Sequence, residues 1–343
     1  MALFLDGPVP LDATTTFVQN VPQPSNTQLT QLFPAKQFDT DEVDFATLVH
    51  TNRTVKFRNW DASPAVIGRD TGSEKRVKML PLGASLSQGE YERRQQQFAH
   101  MGGTIQSFLV DSVYNDLQNL AAAVHNRIEL AWGDVLTDGV LTLAENNVFQ
   151  SVDYGIPGNQ IVTPSAALWS APGATPLTDL INWSDVYTAT NGAPPGMFRT
   201  SLKVQRALQT NAEIIAAVAG TQTGRTRVTL VELNDLLASE GVPQFDSSTI
   251  YNSNFDVDGS SVRALPDNKL LFLPTNPGDL GFTAWGTPTT AYEMKANDIA
   301  VEPGLIGCLL REDAVPFRKY TFVDAVALPV IADPRKLLVA TVA

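Results

Sequence analysis

The stretch SQGEYERRQQQFAHMGGTIQSFLVDSVYNDLQNLAAAVHNRIELAW, residues 87–132, dominates the secondary-structure pattern of this chain. Its second part places apolar residues at helical spacing, with polar side chains between them. These apolar residues are Ile105, Phe108, Leu109, Val113, Leu117, Leu120, Val124 and Ile128. The pattern predicts a long amphipathic helix. It leaves open whether this is an ordinary core helix or a spine that carries several small sheets.

Two features mark the part of this stretch that precedes the long helix: a helix-start pattern and a pair of glycines. Ser87 and Glu90 form a capping-box pattern, which predicts a helix start at residue 87. Gly102 and Gly103 interrupt the pattern, since each glycine costs a helix interior about 1 kcal/mol relative to alanine. We therefore predict a short helix, a hinge at the two glycines and a long helix capped by Thr104. A fixed turn between two helices is the alternative to the hinge.

The composition narrows the class of protein. The chain has 343 residues and a net charge of -12, with 43% hydrophobic and 17% charged residues. This length predicts one large domain or two to three small ones. The low share of charged residues is typical of a surface covered by other subunits. Tight binding of a phosphate backbone requires clustered lysines and arginines, and no such block is present in the sequence.

No apolar run is long enough to cross a bilayer, and no leader pattern precedes the first segment, so we expect a soluble protein.

The first 50 residues resemble an arm rather than a compact unit. Pro8, Pro10, Pro22 and Pro24 interrupt them, and residues 14–31 are rich in Thr, Asn, Gln and Ser. We therefore expect residues 1–41 to lack regular elements and this arm to be mobile in an isolated subunit.

Residues 42–79 are the most basic region of this acidic chain. Strand composition at 43–45, 54–57 and 77–80, with turns at 61–64 and 70–73, predicts a hairpin. Arg53, Lys56 and Arg58 lie within it. A solvated hairpin and a contact surface for an acidic neighbouring subunit are both compatible with this pattern.

The remainder of the chain alternates between helix and strand patterns. A hairpin is predicted over 139–154 with its turn at 145–147, and a loop follows to residue 176. Helices are predicted at 179–188, 198–208 and 231–239. Strands are predicted at 227–230, 249–251, 262–265, 269–273, 306–310, 318–328 and 337–342. This mixture is typical of a compact α/β domain followed by a β-rich end.

One short segment resembles a metal site without completing it. Asn254, Asp256, Asp258 and Gly259 match positions of an EF-hand calcium loop, but Leu265 stands where a bidentate carboxylate is needed. We predict a turn between strands and no calcium site.

No other pattern predicts catalysis or a cofactor. The three histidines, His50, His100 and His125, form no metal-binding pair, and no serine lies in a nucleophile elbow. Cys308 lies among apolar residues, which favours a buried and inert thiol.

Three stretches resemble the phage lambda-type major capsid protein family, the E family. The first runs from Leu265-Pro266-Asp267-Asn268 through Leu280-Gly281 to Trp285-Gly286. The second is residues 320–343, with Ala327-Leu328-Pro329 and Ala332-Asp333-Pro334 before a final strand. The third is residues 77–132, in which a strand enters Pro81 and the long helix follows. Residues 29–51 also resemble the start of the family, whereas 189–241 and the compact 49–80 segment depart from it.

This resemblance implies an α+β protein with the Hong Kong 97-type capsid fold. It implies an N-terminal arm at 1–48, an E loop at 49–80 and a P domain with the spine helix at 81–178. It also implies an A domain at 179–316 and closing strands at 317–343. In such a protein Arg53, Lys56 and Arg58 of the E loop would contact a neighbouring subunit, and Gly102 and Gly103 would form a hinge.

The implied function is structural. Copies of the chain would form hexamers and pentamers of an icosahedral phage head that encloses double-stranded DNA without sequence-specific binding. Scaffold, portal and decoration proteins are the implied partners, and no membrane or cofactor is involved. The protein would be assembled in the host cytoplasm and reside in the virion. A soluble monomeric α/β enzyme with a Pro-rich arm is the alternative, which the lack of a convergent catalytic set disfavours.

Overall fold

The computed structural model describes residues 11–40, 42–48, 72–89, 91, 105–146, 148–220, 224–296, 304–311, 315 and 318–343. Helices and several separate sheets alternate within these ranges, as predicted for an α+β protein. The chain divides into two compact units. The first consists of Met1–Val43, Val77–Ala131 and Thr283–Val330. The second consists of Asp44–Arg76, Trp132–Phe282 and Ile331–Ala343.

A five-stranded sheet forms the framework of the first unit. Its strands are β1 (Ala35–Gln37), β4 (Leu80–Gln88), β12 (Gly281–Gly286), β13 (Ile306–Arg311) and β14 (Lys319–Ile331). The order is β1-β12-β14-β13, and β4 also pairs with β14. Because β4 and β13 pair with the same part of β14, they lie on its opposite sides. The predicted strands at 306–310 and 318–328 are thereby confirmed.

The predicted helix start at Ser87 is wrong. Ser87 lies in β4, opposite Tyr320 of β14 in an antiparallel ladder that extends from Leu80 to Gln88. A capping box offers two local hydrogen bonds, whereas a nine-residue ladder satisfies backbone groups along the whole strand. Long-range pairing therefore decides the conformation at residue 87.

The long helix predicted from the apolar spacing is confirmed and extends further than expected. This helix, α3, runs over Ile105–Asp138. Leu117, Leu120, Val124 and Ile128 are buried, as the spacing predicts. The helix ends at Gly139, whose φ of 80° is favourable only for a residue without a Cβ.

The expectation that residues 1–41 lack regular elements is wrong between Leu11 and Gln37. Helix α1 spans Leu11–Asn20 and helix α2 spans Gln28–Leu32. Both bury side chains within the first unit, since Val18 and Leu29 are 0% exposed. The Thr-rich sequence of α1 has low helix propensity, so these contacts stabilise a helix that local sequence alone does not predict.

Two strands that flank residues 49–71 in the sequence form a small two-stranded sheet. It pairs β2 (Glu42–Leu48) with β3 (Gly72–Lys78). The predicted strand at 43–45 is confirmed as part of β2. Gly72 and Ser73 belong to β3 rather than to a turn, while the predicted elements at 54–57 and 61–64 lie outside the described residues.

The second unit is built on a four-stranded sheet. Its strands are β7 (Ile161–Val162), β8 (Met197–Thr200), β11 (Lys269–Leu273) and β15 (Leu338–Thr341), and their order is β7-β15-β11-β8. Its helices are α4 (Pro176–Asn191), α5 (Leu202–Thr210), α6 (Ala212–Ala219) and α7 (Leu230–Ser239). Aromatic rings fill the core: Trp169 stacks on Trp183 at 5.6 Å, and Phe198 meets Phe272 edge-on at 4.8 Å. The helices predicted at 179–188 and 231–239 and the strands predicted at 269–273 and 337–342 are confirmed, and each of their ends lies within three residues of the predicted one.

Two predictions in this unit are wrong. The helix predicted from Phe198 starts only at Leu202, because Phe198 pairs with Phe272 in the sheet and Ser201 caps the helix instead. The strand predicted at 227–230 is not formed. Thr229 and Glu232 make a capping box there, which begins α7 at Leu230. Of the predicted strand at 249–251, only Ile250 forms a bridge, to Thr200.

Two hairpins complete the second unit. The predicted hairpin over 139–154 is confirmed as β5 (Val140–Glu145) paired with β6 (Val148–Asp153). The other pairs β9 (Asn254–Val257) with β10 (Ser260–Arg263), so the strand predicted at 262–265 ends two residues earlier. Helix α8 (Thr289–Ala296) belongs to the first unit and was not predicted.

Candidate assembly surfaces

The residues predicted to act in assembly lie outside the described parts of the chain. Arg53, Lys56 and Arg58 fall within 49–71, and Gly102 and Gly103 fall within 92–104. Their roles therefore stay predictions. Two other basic residues of the same region, Arg76 and Lys78 on β3, have exposed side chains.

A buried carboxylate fastens the N-terminal segment to the long helix. Glu129 of α3 is 0% exposed and accepts hydrogen bonds at the first turn of α2. The backbone N–H of Leu29 donates to its Oε1 at 2.8 Å, and the N–H of Thr30 donates to Oε2 at 2.7 Å. The Thr30 hydroxyl also donates to Oε2, at 2.7 Å. These donors offset the cost of burying a carboxylate, and the negative charge suits a helix N-terminus.

This contact was missed from the sequence, although a signal for it exists. Glu129 lies four residues after His125 and three before Trp132, and both of these neighbours are buried. A glutamate in such a stripe is rarely left unpaired. The identity of its partner could not be read from the pattern, because α2 precedes it by a hundred residues.

Helix α1 is held against the outer side of β13. The hydroxyls of Thr14 and Thr15 both donate to the carbonyl oxygen of Gly307, at 2.8 and 3.1 Å. A Cβ built on Gly307 would lie 2.6 Å from a methyl group of Val18. The absence of a side chain at residue 307 thus allows the helix and the strand to approach closely.

Some apolar side chains of the described residues remain exposed to solvent. Phe149 on β6 is 81% exposed, Tyr91 is 73% exposed and Leu86 on β4 is 40% exposed. Single exposed apolar residues are common on protein surfaces, so none of them marks an interface by itself.

Within the described ranges, His125 and Cys308 are the groups of the sequence analysis that could carry chemistry, and both are buried. His125 is buried, which lowers the pKa of its imidazole, and its ring meets the edge of Trp285 at 6.0 Å. Cys308 is 0% exposed, so the predicted burial of this thiol is confirmed, and burial raises its pKa to about 12, which disfavours the reactive thiolate. Within the described ranges, no group of three or more His, Cys, Asp or Glu residues is placed to hold a metal ion.

The EF-hand-like segment is a turn between strands, as predicted. Asp258 and Gly259 have φ angles of 51° and 81° and connect β9 to β10. The N–H of Gly259 donates to Oδ1 of Asp256 at 2.7 Å. Asp256 is thus used to stabilise the turn, as is typical of an Asx residue in a hairpin.

The comparison with protein families identifies the chain. The model of the phage major capsid protein E family matches residues 11–342. The chain belongs to the phage major capsid protein E family. The resemblance noted in the sequence is therefore confirmed, and the protein is a structural component of an icosahedral capsid shell rather than an enzyme.

Solved structures confirm the Hong Kong 97-type fold for this family member. A protein assigned as a prophage capsid protein in E. coli CFT073 is 16% identical, covers 100% of both chains and superposes with a TM-score of 0.62. A phage-related protein from Bordetella bronchiseptica RB50 is 13% identical, covers 99% of this chain and 97% of its own, and has a TM-score of 0.59. At such identities the likeness establishes the fold alone. A comparison with curated protein sequences finds no match.

Family membership also places the protein in the virion, where it self-associates in the capsid shell. Among the described residues, none of the helices is both long and apolar enough to span a membrane.

Proposed function

We propose that copies of this chain form hexamers and pentamers that close into the head of a tailed double-stranded DNA phage. The family match over residues 11–342 carries this proposal. Scaffold, portal and decoration proteins are the proposed partners during and after assembly, which would take place in the host cytoplasm. The net charge of -12, from 24 basic and 36 acidic residues, supports an inner surface that encloses DNA without adhering to it.

We assign parts of the chain to this role by the same family resemblance. Residues 1–48 form the N-terminal arm, 49–80 the E loop, 81–178 the P domain with its spine helix, 179–316 the A domain and 317–343 the closing strands. The hydrogen bonds of Glu129 to Leu29 and Thr30 support an arm that begins by packing on its own subunit.

The E loop is proposed to contact a neighbouring subunit through Arg53, Lys56 and Arg58. Changing all three to glutamate is expected to abolish shell formation, because an acidic neighbour would repel the reversed charges. Each single alanine variant should still assemble, since an exposed ion pair contributes only about 0–1 kcal/mol. Shell yield is measured by sedimentation and negative-stain microscopy.

A charge-matched control separates a local contact from a general effect of net charge. Lys203, Lys295 and Arg318 are exposed, and their triple glutamate variant changes the net charge by the same amount. Normal shells are expected from this control. If the E-loop triple glutamate variant also gave normal shells, the proposed contact would be ruled out.

The glycine pair is proposed to act as a hinge when the shell changes size. Alanine at both Gly102 and Gly103 is expected to favour a continuous helix by about 1–2 kcal/mol per subunit and so to trap one state of the shell. Cryo-microscopy of unexpanded and expanded particles measures this. Gly89→Ala is the control, because a Cβ at Gly89 meets no atom within 4 Å. Both states at normal yield, with an unchanged angle at 101–104, would argue for a fixed turn.

A further inference from the structure

The sheet of the first unit has three edges, and the chain protects two of them. The edge of β13 is covered by α1, whose Thr14 and Thr15 hydroxyls donate to the carbonyl oxygen of Gly307. The edge at β1 is only three residues long. Covering an edge and keeping it short are the usual ways in which proteins prevent unwanted strand pairing.

Among the residues that the structure describes, the third edge, β4, has neither kind of protection. Each of its nine residues lies opposite a residue of β14, from Leu80 opposite Ala327 to Gln88 opposite Lys319. Within the described parts of the chain, no second strand pairs with β4. Its sequence, LPLGASLSQ, contains no charged residue. Five of its residues are exposed, namely Pro81, Gly83, Ser85, Leu86 and Ser87.

We propose that the free edge of β4 accepts an extended strand from a second copy of this chain in the shell. An uncharged edge of this length offers a row of backbone donors and acceptors, which is the basis of β-strand addition between chains. The partner is a second copy because the family builds its shell from copies of one subunit, and this inference rests on that assembly. Natural edges that stay free in solution usually carry charged side chains or proline. β4 carries no charged residue, and its one proline, Pro81, is its second residue, so proline does not interrupt the edge from Leu82 to Gln88.

Pro81 indicates which positions of β4 face the partner. In an antiparallel pair, alternate residues exchange both backbone hydrogen bonds with the strand opposite. Proline has no N–H to give, so it belongs among the residues that do not exchange bonds with β14. Gly83, Ser85 and Ser87 follow at intervals of two and therefore direct their N–H and carbonyl groups outward.

Two variants test this edge while sparing the β4–β14 ladder. Ser85→Pro removes one outward N–H, and Ser85→Lys with Ser87→Lys places two charges on the edge. Ser85→Ala is the matched control, since it keeps the backbone N–H. Wild-type and variant proteins are produced under identical conditions, and shells are quantified by sedimentation and microscopy. The melting temperature of the unassembled protein reports whether each variant folds.

We expect at least a tenfold loss of shells from both edge variants with melting temperatures near that of the wild type, and normal shells from Ser85→Ala. Amide hydrogen exchange at Gly83, Ser85 and Ser87 should also slow on assembly. If Ser85→Pro lowers the melting temperature, the double lysine variant decides alone. A normal yield of shells from the double lysine variant would overturn the proposal. So would normal shells of this variant whose only defect is that they do not bind a decoration protein. Failure of the wild type to form shells would instead count against the proposed function.

Discussion

Replacing Glu129 with alanine is expected to lower the free energy of unfolding by about 3–5 kcal/mol. The change leaves three buried donors without an acceptor: the N–H groups of Leu29 and Thr30, and the Thr30 hydroxyl. Each unsatisfied buried donor costs about 1–3 kcal/mol, and the truncated side chain leaves a cavity. Denaturant unfolding of the unassembled protein measures the loss, and faster amide exchange in 28–32 should accompany it.

Two further variants test whether the loss of stability is specific to the Glu129 carboxylate. Gln118→Ala changes an exposed position of the same helix and should alter stability by less than about 0.5 kcal/mol. Glu129→Gln keeps the volume and one acceptor oxygen, so an intermediate loss is expected. A loss below about 1 kcal/mol for Glu129→Ala would show that the carboxylate does not fasten the arm.

Gly133→Ala is expected to destabilise the protein by about 2 kcal/mol or more, although alanine ordinarily favours a helix by about 1 kcal/mol. Gly133 lies within α3, and a Cβ at this position would overlap the backbone carbonyl group of Ala264. A backbone group cannot swing aside as a flexible side chain can, so the helix must shift. The melting temperature of the unassembled variant measures the effect.

The control for this substitution is Asn119→Ala, at an exposed position of the same helix. Here alanine should be neutral or slightly stabilising, because only helix propensity changes. A Gly133→Ala protein as stable as this control would contradict the close approach of α3 to Ala264.

Elements with a strong local pattern could be predicted from the sequence. The apolar spacing from Leu117 to Ile128 indicates α3, and the apolar run at Lys269–Leu273 coincides with β11. The hairpin over 139–154 was predicted because turn residues separate two strand-like runs. In each case the local preference and the final packing agree.

Elements decided by distant contacts could not be predicted. Ser87 has the sequence of a helix cap, yet Tyr320 pairs with it in a sheet. Helix α1 forms in a Thr-rich segment because Thr14 and Thr15 find an acceptor at Gly307. These partners lie more than two hundred residues away in the chain, beyond the reach of any local pattern.

The same limit applies to the assembly surfaces. Charge patterning singled out Arg53, Lys56 and Arg58, whose contacts stay predictions. The roles of Glu129 and of β4, which pairs with only one strand among the described residues, follow from burial and strand order. Both are properties of the folded chain and cannot be read from a local pattern.

The proposed function depends on the closure of copies of this chain into a shell. Cryo-microscopy of the purified protein, produced together with its scaffold, shows whether such shells form. We predict closed icosahedral particles whose subunits carry the five-stranded sheet β1-β12-β14-β13 with β4. A single monomeric species at high concentration, with no shells in the micrographs, would contradict it.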